Sequence, residues 1–174
     1  MVLEAIKYKR GSLQILDQLR LPHKEVYEDI YTSTDAWHAI KEMRTRGAPA
    51  IAIVAALALA VELETITFER QLPEQAEEVK VFIIEKLDYL VTSRPTAVNL
   101  ADAAFKLRQA VTREAQRSGS TGSSVKDAYL TAAEKMLVDD VADNEAIGRH
   151  GAAWIVKHAK SDGQVSVLTH CNTG

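Results

Sequence analysis

An apolar run from Ala48 to Val61, uninterrupted by any charged side chain, limits this chain's folds more than any other feature of its sequence. A helix that is apolar all round has no face to offer to water and has to be enclosed by protein. The run falls short of the ~20 residues needed to cross a bilayer, which points to a fully buried helix and away from a membrane span. It begins at Ala48-Pro49. Proline suits a first helical turn, where its missing N–H has no intrahelical partner.

The flanking segments supply what could enclose such a helix. Leu3, Ala5 and Tyr8 alternate, Arg10-Gly11-Ser12 turns the chain, and Leu13, Ile15, Val26 and Ile30 resume the pattern. This predicts a small antiparallel β-meander. Ser33-Thr34-Asp35 offers N-cap side chains to a helix carrying Trp37, Ile40 and Met43 or Arg44. A helix from about Pro73 to Thr92 presents Val79, Phe82, Ile83, Leu87 and Leu90 on one face, and another after Pro95-Thr96 carries Val98, Ala101, Phe105 and Leu107. Arg117 to Ser124, rich in serine and glycine, predicts an exposed loop, followed by two helices over Val125 to Asp140 and Asn144 to Ala159. The texture then changes to a turn at Ser161-Asp162-Gly163 and a β-rich run, Val165 to Thr169, leading into His170-Cys171-Asn172-Thr173-Gly174. A buried strand running into a glycine-bearing loop is how an α/β unit opens. One strand cannot form a sheet by itself, so the expectation is that the chain stops inside a longer protein.

Composition narrows function only by exclusion. Of 174 residues, 47% are apolar and 26% charged, with a net charge of -3, which is ordinary for a globular domain. The basic face of a nucleic-acid binder is not expected, whereas a local pair of arginines can hold a small anion at any net charge. The single cysteine precludes an intramolecular disulfide, and Met1 to Ala5 shows no secretory pattern; a reducing, cytoplasmic setting is expected.

Three segments can carry chemistry. In Arg46-Gly47-Ala48-Pro49, glycine lets the backbone approach a ligand, first-turn N–H groups and the helix dipole favour an anion, and Arg46 adds a planar donor suited to phosphate. A plain helix start with a solvent-exposed arginine is the commoner use of such a sequence. In Ser93-Arg94-Pro95-Thr96-Ala97-Val98-Asn99, a second arginine stands where one helix closes and another opens, and can either join the first on one ligand or cap the preceding helix. Cys171 follows the β run, where open α/β folds place ligands and where the start of a following helix would lower a thiol pKa; a buried, inert cysteine is the alternative. His170 would point to the opposite face of a strand and is not expected to pair with it. The other histidines, His23, His38, His150 and His158, show no metal-ligand spacing. Trp37 and Trp154 are expected as core anchors, Asp139, Asp140 and Asp143 as a solvated helix end, and Gly148 and Gly151 as points of close helix packing.

Taken together, Leu3-Glu4-Ala5-Ile6, Gly11 to Gln18, Arg46 to Ile51, Ser93 to Leu100 and Leu168 to Gly174 resemble the methylthioribose-1-phosphate isomerase family of the initiation-factor-2B-like superfamily. The resemblance implies a mainly α fold with a small N-terminal β-meander: a meander and helical bundle over residues 1–160, then the first strand of a Rossmann-like domain at 161–174. It implies conversion of 5-methylthioribose 1-phosphate to the ribulose form in methionine salvage, with no metal or organic cofactor. By position, Arg46, Gly47 and Ala48 would bind substrate, Arg94 its phosphate end, and Cys171 would serve the chemistry. An aspartate proton donor and further substrate ligands are expected in the Rossmann-like domain. The family implies a homodimer in the cytoplasm, with a nuclear pool also expected, and neither nucleic acid nor membrane as partner. Two rivals come with the superfamily: a non-enzymatic assembly module like the subunits of the translation-initiation exchange factor, and a ribose-1,5-bisphosphate isomerase.

Overall fold

The computed structural model describes residues 3–70, 72–159 and 165–168. Three short strands, β1 (Ile6–Lys9), β2 (Ser12–Leu16) and β3 (Tyr27–Ile30), form an antiparallel sheet in the order β1-β2-β3. Gly11 turns the first hairpin at φ +78°, a conformation that costs other residues a Cβ clash. The register pairs Ile6 with Ile15 and Leu13 with Ile30. Alternation then buries Leu13 and Ile15, while Gln14 stays outside and donates to Asp29 at 2.9 Å.

Five helices follow: α1 (Ser33–Lys41), α2 (Ala48–Arg70), α3 (Ala76–Val91), α4 (Val98–Ala115) and α5 (Gly122–His158). The fold class expected from the sequence, mainly helical with a small N-terminal antiparallel sheet, is the one observed. Helix α2 is its axis. Every residue from Ile51 to Val61 is buried, and α2 packs against β1, β2 and all four other helices. Each fully buried leucine along it, Leu57, Leu59 and Leu63, contributes roughly 1.5–3 kcal/mol. By length and composition Ala48–Ile66 could cross a membrane, so shortness does not exclude a span; what defines α2 is its enclosure, with 72% of that window buried.

Helix α1 is capped one residue earlier than expected. Thr32 is the N-cap, forming a capping box with Asp35. Ser33 is thereby freed to face the core, where its N–H donates to Glu62 at 2.7 Å and its hydroxyl bonds the same carboxylate. Lys86 closes the ion pair on the other oxygen of Glu62. One buried carboxylate thus ties α1, α2 and α3 together.

Six further expectations are corrected. The two C-terminal helices are one continuous helix, α5, because no proline interrupts it and Asn144 stays in register, its amide donating to the Asp140 carbonyl at 2.8 Å. The loop before it is short: α5 starts at Gly122, capped by Thr121 and Ser124. Gly148 and Gly151 have nothing within 4 Å of a notional Cβ; the close approach is at Gly122, where a Cβ would lie 1.9 Å from the Pro73 carbonyl oxygen. Trp37 is half-buried against the core, but Trp154 is 63% exposed. On α4 the core stripe is Leu100, Ala103, Ala104, Leu107 and Val111, and Val98 and Phe105 face outward. Residues 165–168 take no regular structure and are exposed, so the β run expected there is not formed among them. A strand needs a neighbour, and the described sheet ends with β3.

Candidate active site

The loop from α1 to α2 is built on an unusual backbone. Met43 has φ +62°, a conformation costing roughly 1–2 kcal/mol outside glycine, and Gly47 follows at φ +93°. The loop is held from α1: the N–H groups of Arg44 and Thr45 both donate to the Ala39 carbonyl, at 2.9 and 3.3 Å. Arg46 is half-buried, and its Nε donates to the Met43 carbonyl at 3.2 Å. The positive φ of Gly47 swings the chain into α2, whose first backbone bond runs from the Ile51 N–H to the Gly47 carbonyl at 3.0 Å. Ala48 and Pro49 are exposed at that helix start.

The second loop, between α3 and α4, ends its helix without using Arg94. The N–H groups of Thr92, Ser93 and Arg94 donate to the Tyr89, Leu90 and Val91 carbonyls, and the Thr92 and Ser93 hydroxyls donate to Tyr89 and Leu90. With those carbonyls served, Arg94 is not the cap of α3. A turn from Arg94 to Ala97, with proline in its second position, opens α4. The Nη1 of Arg94 is buried and has no hydrogen-bond partner among the described residues.

Burial and pairing sort the arginines, with Arg113 and Arg149 exposed to solvent. Arg10, Arg20, Arg44, Arg108 and Arg117 each pair with a carboxylate. Arg46 and Arg94 are half-buried at helix starts, and their guanidinium groups meet no carboxylate among the described residues. The first turns of α2 and α4 also hold no acidic side chain, and Ala97 offers α4 no side-chain cap. Both helix dipoles are therefore uncompensated at their positive ends, which favours an anion there.

The two helix starts share one face. Pro49 and Ala52 of α2 and Asn99 and Ala103 of α4 line a single cleft of about 520 Å³ completed by α5. The cleft itself carries Asp102, Asp139, Asp140 and Asp143 against Lys106 and Lys135. Neither Arg46 nor Arg94 lines it, and its net negative charge opposes a phosphate within the cleft. Lys135 pairs with Asp139, as a solvated helix face would. No group of three metal-ligating side chains occurs among the described residues. Cys171 lies outside the described residues. The shifted titrations sit elsewhere and are structural: Arg10 hydrogen-bonds Glu134 and holds its carboxyl below the usual range, and burial pushes the Tyr129 phenol well up, its hydroxyl donating to the Ala56 carbonyl at 3.0 Å. The left-handed Met43 carries no sequence signal, because glycine or asparagine is the usual occupant of such a position.

The family model of the initiation factor 2 subunits matches residues 44–174, starting in the loop that carries Arg46. The chain belongs to the initiation factor 2 subunit family. Within this family it is 69% identical to a methylthioribose-1-phosphate isomerase of Pyrenophora tritici-repentis over its whole length, and 58% identical to one of Aspergillus fumigatus over 99% of it. It spans 44% and 45% of those relatives' lengths. The crystal structure of 5-methylthioribose 1-phosphate isomerase from Pyrococcus horikoshii matches 87% of this chain and 40% of its own, with a TM-score of 0.74 at 26% identity. The delta subunit of translation initiation factor eIF-2B from A. fulgidus matches 80% of this chain and 38% of its own, with a TM-score of 0.65 at 29% identity.

Proposed function

We propose that this chain is the phosphate-holding half of a methylthioribose-1-phosphate isomerase, which converts 5-methylthioribose 1-phosphate to 5-methylthioribulose 1-phosphate in methionine salvage. One observation carries the reading: Arg46 and Arg94 stand half-buried, with no carboxylate partner among the described residues, at two helix starts that share one face. The substrate is taken from the relatives' names, at 58–69% identity.

The chemistry sets what those groups have to do. In the net reaction the bond from C1 to the ring oxygen breaks and that oxygen takes a proton. A hydrogen moves from C2 to C1, and the C2 hydroxyl becomes the carbonyl as its proton leaves. The phosphate stays on C1 throughout, so holding it fixes both reacting carbons. Arg46, Gly47 and Ala48 supply donors at the start of α2, and Arg94 supplies a planar fork at the start of α4. Cys171 is assigned to the hydrogen transfer, in a pocket completed by a Rossmann-like domain that begins at 161–174 and supplies the acid for the ring oxygen. The remaining assignments, a homodimer in the cytoplasm with a nuclear pool, are supported by the family resemblance and the single cysteine.

The test is made in the full-length protein. Cys171→Ser is expected to abolish turnover of 5-methylthioribose 1-phosphate while substrate still binds, and the 174-residue chain alone is expected to show no turnover. Full activity in Cys171→Ser removes the role given to the thiol. The likeness to the eIF-2B subunit supports one other reading, an assembly module without activity. Turnover by the full-length protein excludes it.

A further inference from the structure

We propose that Trp37 is a positioning residue for the phosphate end of the substrate, setting the Arg94 loop against the helix that also frames Arg46. This rests on the reading of the two arginines as phosphate donors. The indole Nε1 of Trp37 donates to the Thr92 hydroxyl at 2.8 Å, and that hydroxyl donates onward to the Tyr89 carbonyl at 2.6 Å. The Trp37 ring also stacks on Tyr89, with centroids 5.9 Å apart and planes 17° from parallel. Two residues along α1, the Ala39 carbonyl holds the N–H groups of Arg44 and Thr45. One short helix therefore grips both arginine loops, the first through its own last turn and the second through a single side chain. Among the described residues, the other hydrogen bonds of the α3–α4 loop run within itself, to the end of α3 and to the first turn of α4. Trp37 is the cross-link that relates it to the loop of Arg46.

A core anchor needs only the ring. The N–H bond to Thr92 adds something packing does not require: it fixes where along α1 the Arg94 loop sits. Two arginine donors reading one phosphate lose their joint hold when their spacing changes by about 1 Å. The bond acts on Arg94 through Thr92 and Ser93, and not on the substrate itself.

Steady-state kinetics of the full-length protein with 5-methylthioribose 1-phosphate test this, using Trp37→Phe, Thr92→Val, the double variant and Thr92→Ser. Trp37→Phe keeps the stack and removes the donor; Thr92→Val keeps the shape and removes the acceptor. Each is expected to raise KM by about three- to tenfold, the range of one ordinary hydrogen bond, with kcat within about twofold of wild type. The double variant is expected to be no worse than the poorer single variant, and Thr92→Ser to restore the wild-type KM. Unchanged KM in both single variants overturns the proposal, as does a lower melting temperature with KM intact, or full additivity in the double variant. If wild type turns over the sugar and only the variants behave otherwise than expected, the role of Trp37 falls alone. If wild type does not turn it over, the reading of the site falls with it.

Discussion

Replacing Arg94 by methionine sets two effects of one side chain against each other. In the free protein Nη1 is buried with no hydrogen-bond partner among the described residues. A buried, unsatisfied polar group costs roughly 1–3 kcal/mol, and the half-exposed position of Arg94 places its cost at the low end. Methionine keeps the length of the stem and removes the unpaired donor, so the free protein is expected to gain about 1 kcal/mol, a rise in Tm of about 1–2 °C in the full-length protein. With phosphate bound the sign reverses. Charge-assisted hydrogen bonds contribute about 1.5–3 kcal/mol, so their loss is expected to raise KM about 10- to 150-fold. The assay is thermal melting of the full-length protein with and without inorganic phosphate, alongside steady-state kinetics. The variant is expected to melt at or above wild type and to lose the phosphate-dependent part of the Tm. A Tm lowered by several degrees with KM unchanged refutes the reasoning, because it makes Arg94 a structural residue.

Three other outcomes follow from the geometry. Gly122→Ala places a Cβ 1.9 Å from the Pro73 carbonyl oxygen and 2.9 Å from Val79 Cγ2, and displaces a helix start whose N–H donates to Glu74 at 2.7 Å. A loss of about 2 kcal/mol is expected in urea unfolding, and wild-type stability would show that the α3–α5 contact is looser than described. Gly47→Ala meets no crowding, its nearest neighbour being Ala50 at 3.8 Å, but it forces alanine to φ +93°. It is expected to cost about 1–2 kcal/mol and to raise KM as the first-turn N–H groups move; a wild-type KM would show that those groups do not hold the substrate. Glu134→Gln removes a carboxylate whose pKa Arg10 lowers. A lowered folded-state pKa gives stability that is present above the ordinary carboxylate value of 4.5 and lost as pH falls through the folded value. The stability gap between wild type and variant is therefore expected to be widest at neutral pH and to close in acid; a gap independent of pH contradicts the assignment.

What could be read in advance follows from how local each signal is. Helix α2 was legible because an apolar surface on every side leaves only burial, and the β1–β2 hairpin because alternation and Gly11 agree. The burial of Val79, Ile83, Leu87 and Leu90 on α3 follows from spacing alone. The expected break near Asn144 failed because acidic residues mark a solvated face as readily as a helix end, and α5 is exposed there. The stripe of α4 was misassigned because Val98 and Phe105 lie off the face its neighbours chose, which only tertiary packing decides. At the site, the two arginine motifs were visible as helix starts, but their lack of a carboxylate partner among the described residues, and the Trp37–Thr92 bond across 55 residues, belong to the folded chain.

The most direct measurement is turnover of 5-methylthioribose 1-phosphate by the full-length protein, followed by NMR, side by side with ribose 1,5-bisphosphate. The expected result is conversion of the methylthio sugar to its ribulose form, with little or none of the bisphosphate, and loss of that conversion in Arg46→Ala and Arg94→Ala. No conversion of the methylthio sugar by a folded, phosphate-binding wild type contradicts the proposed function.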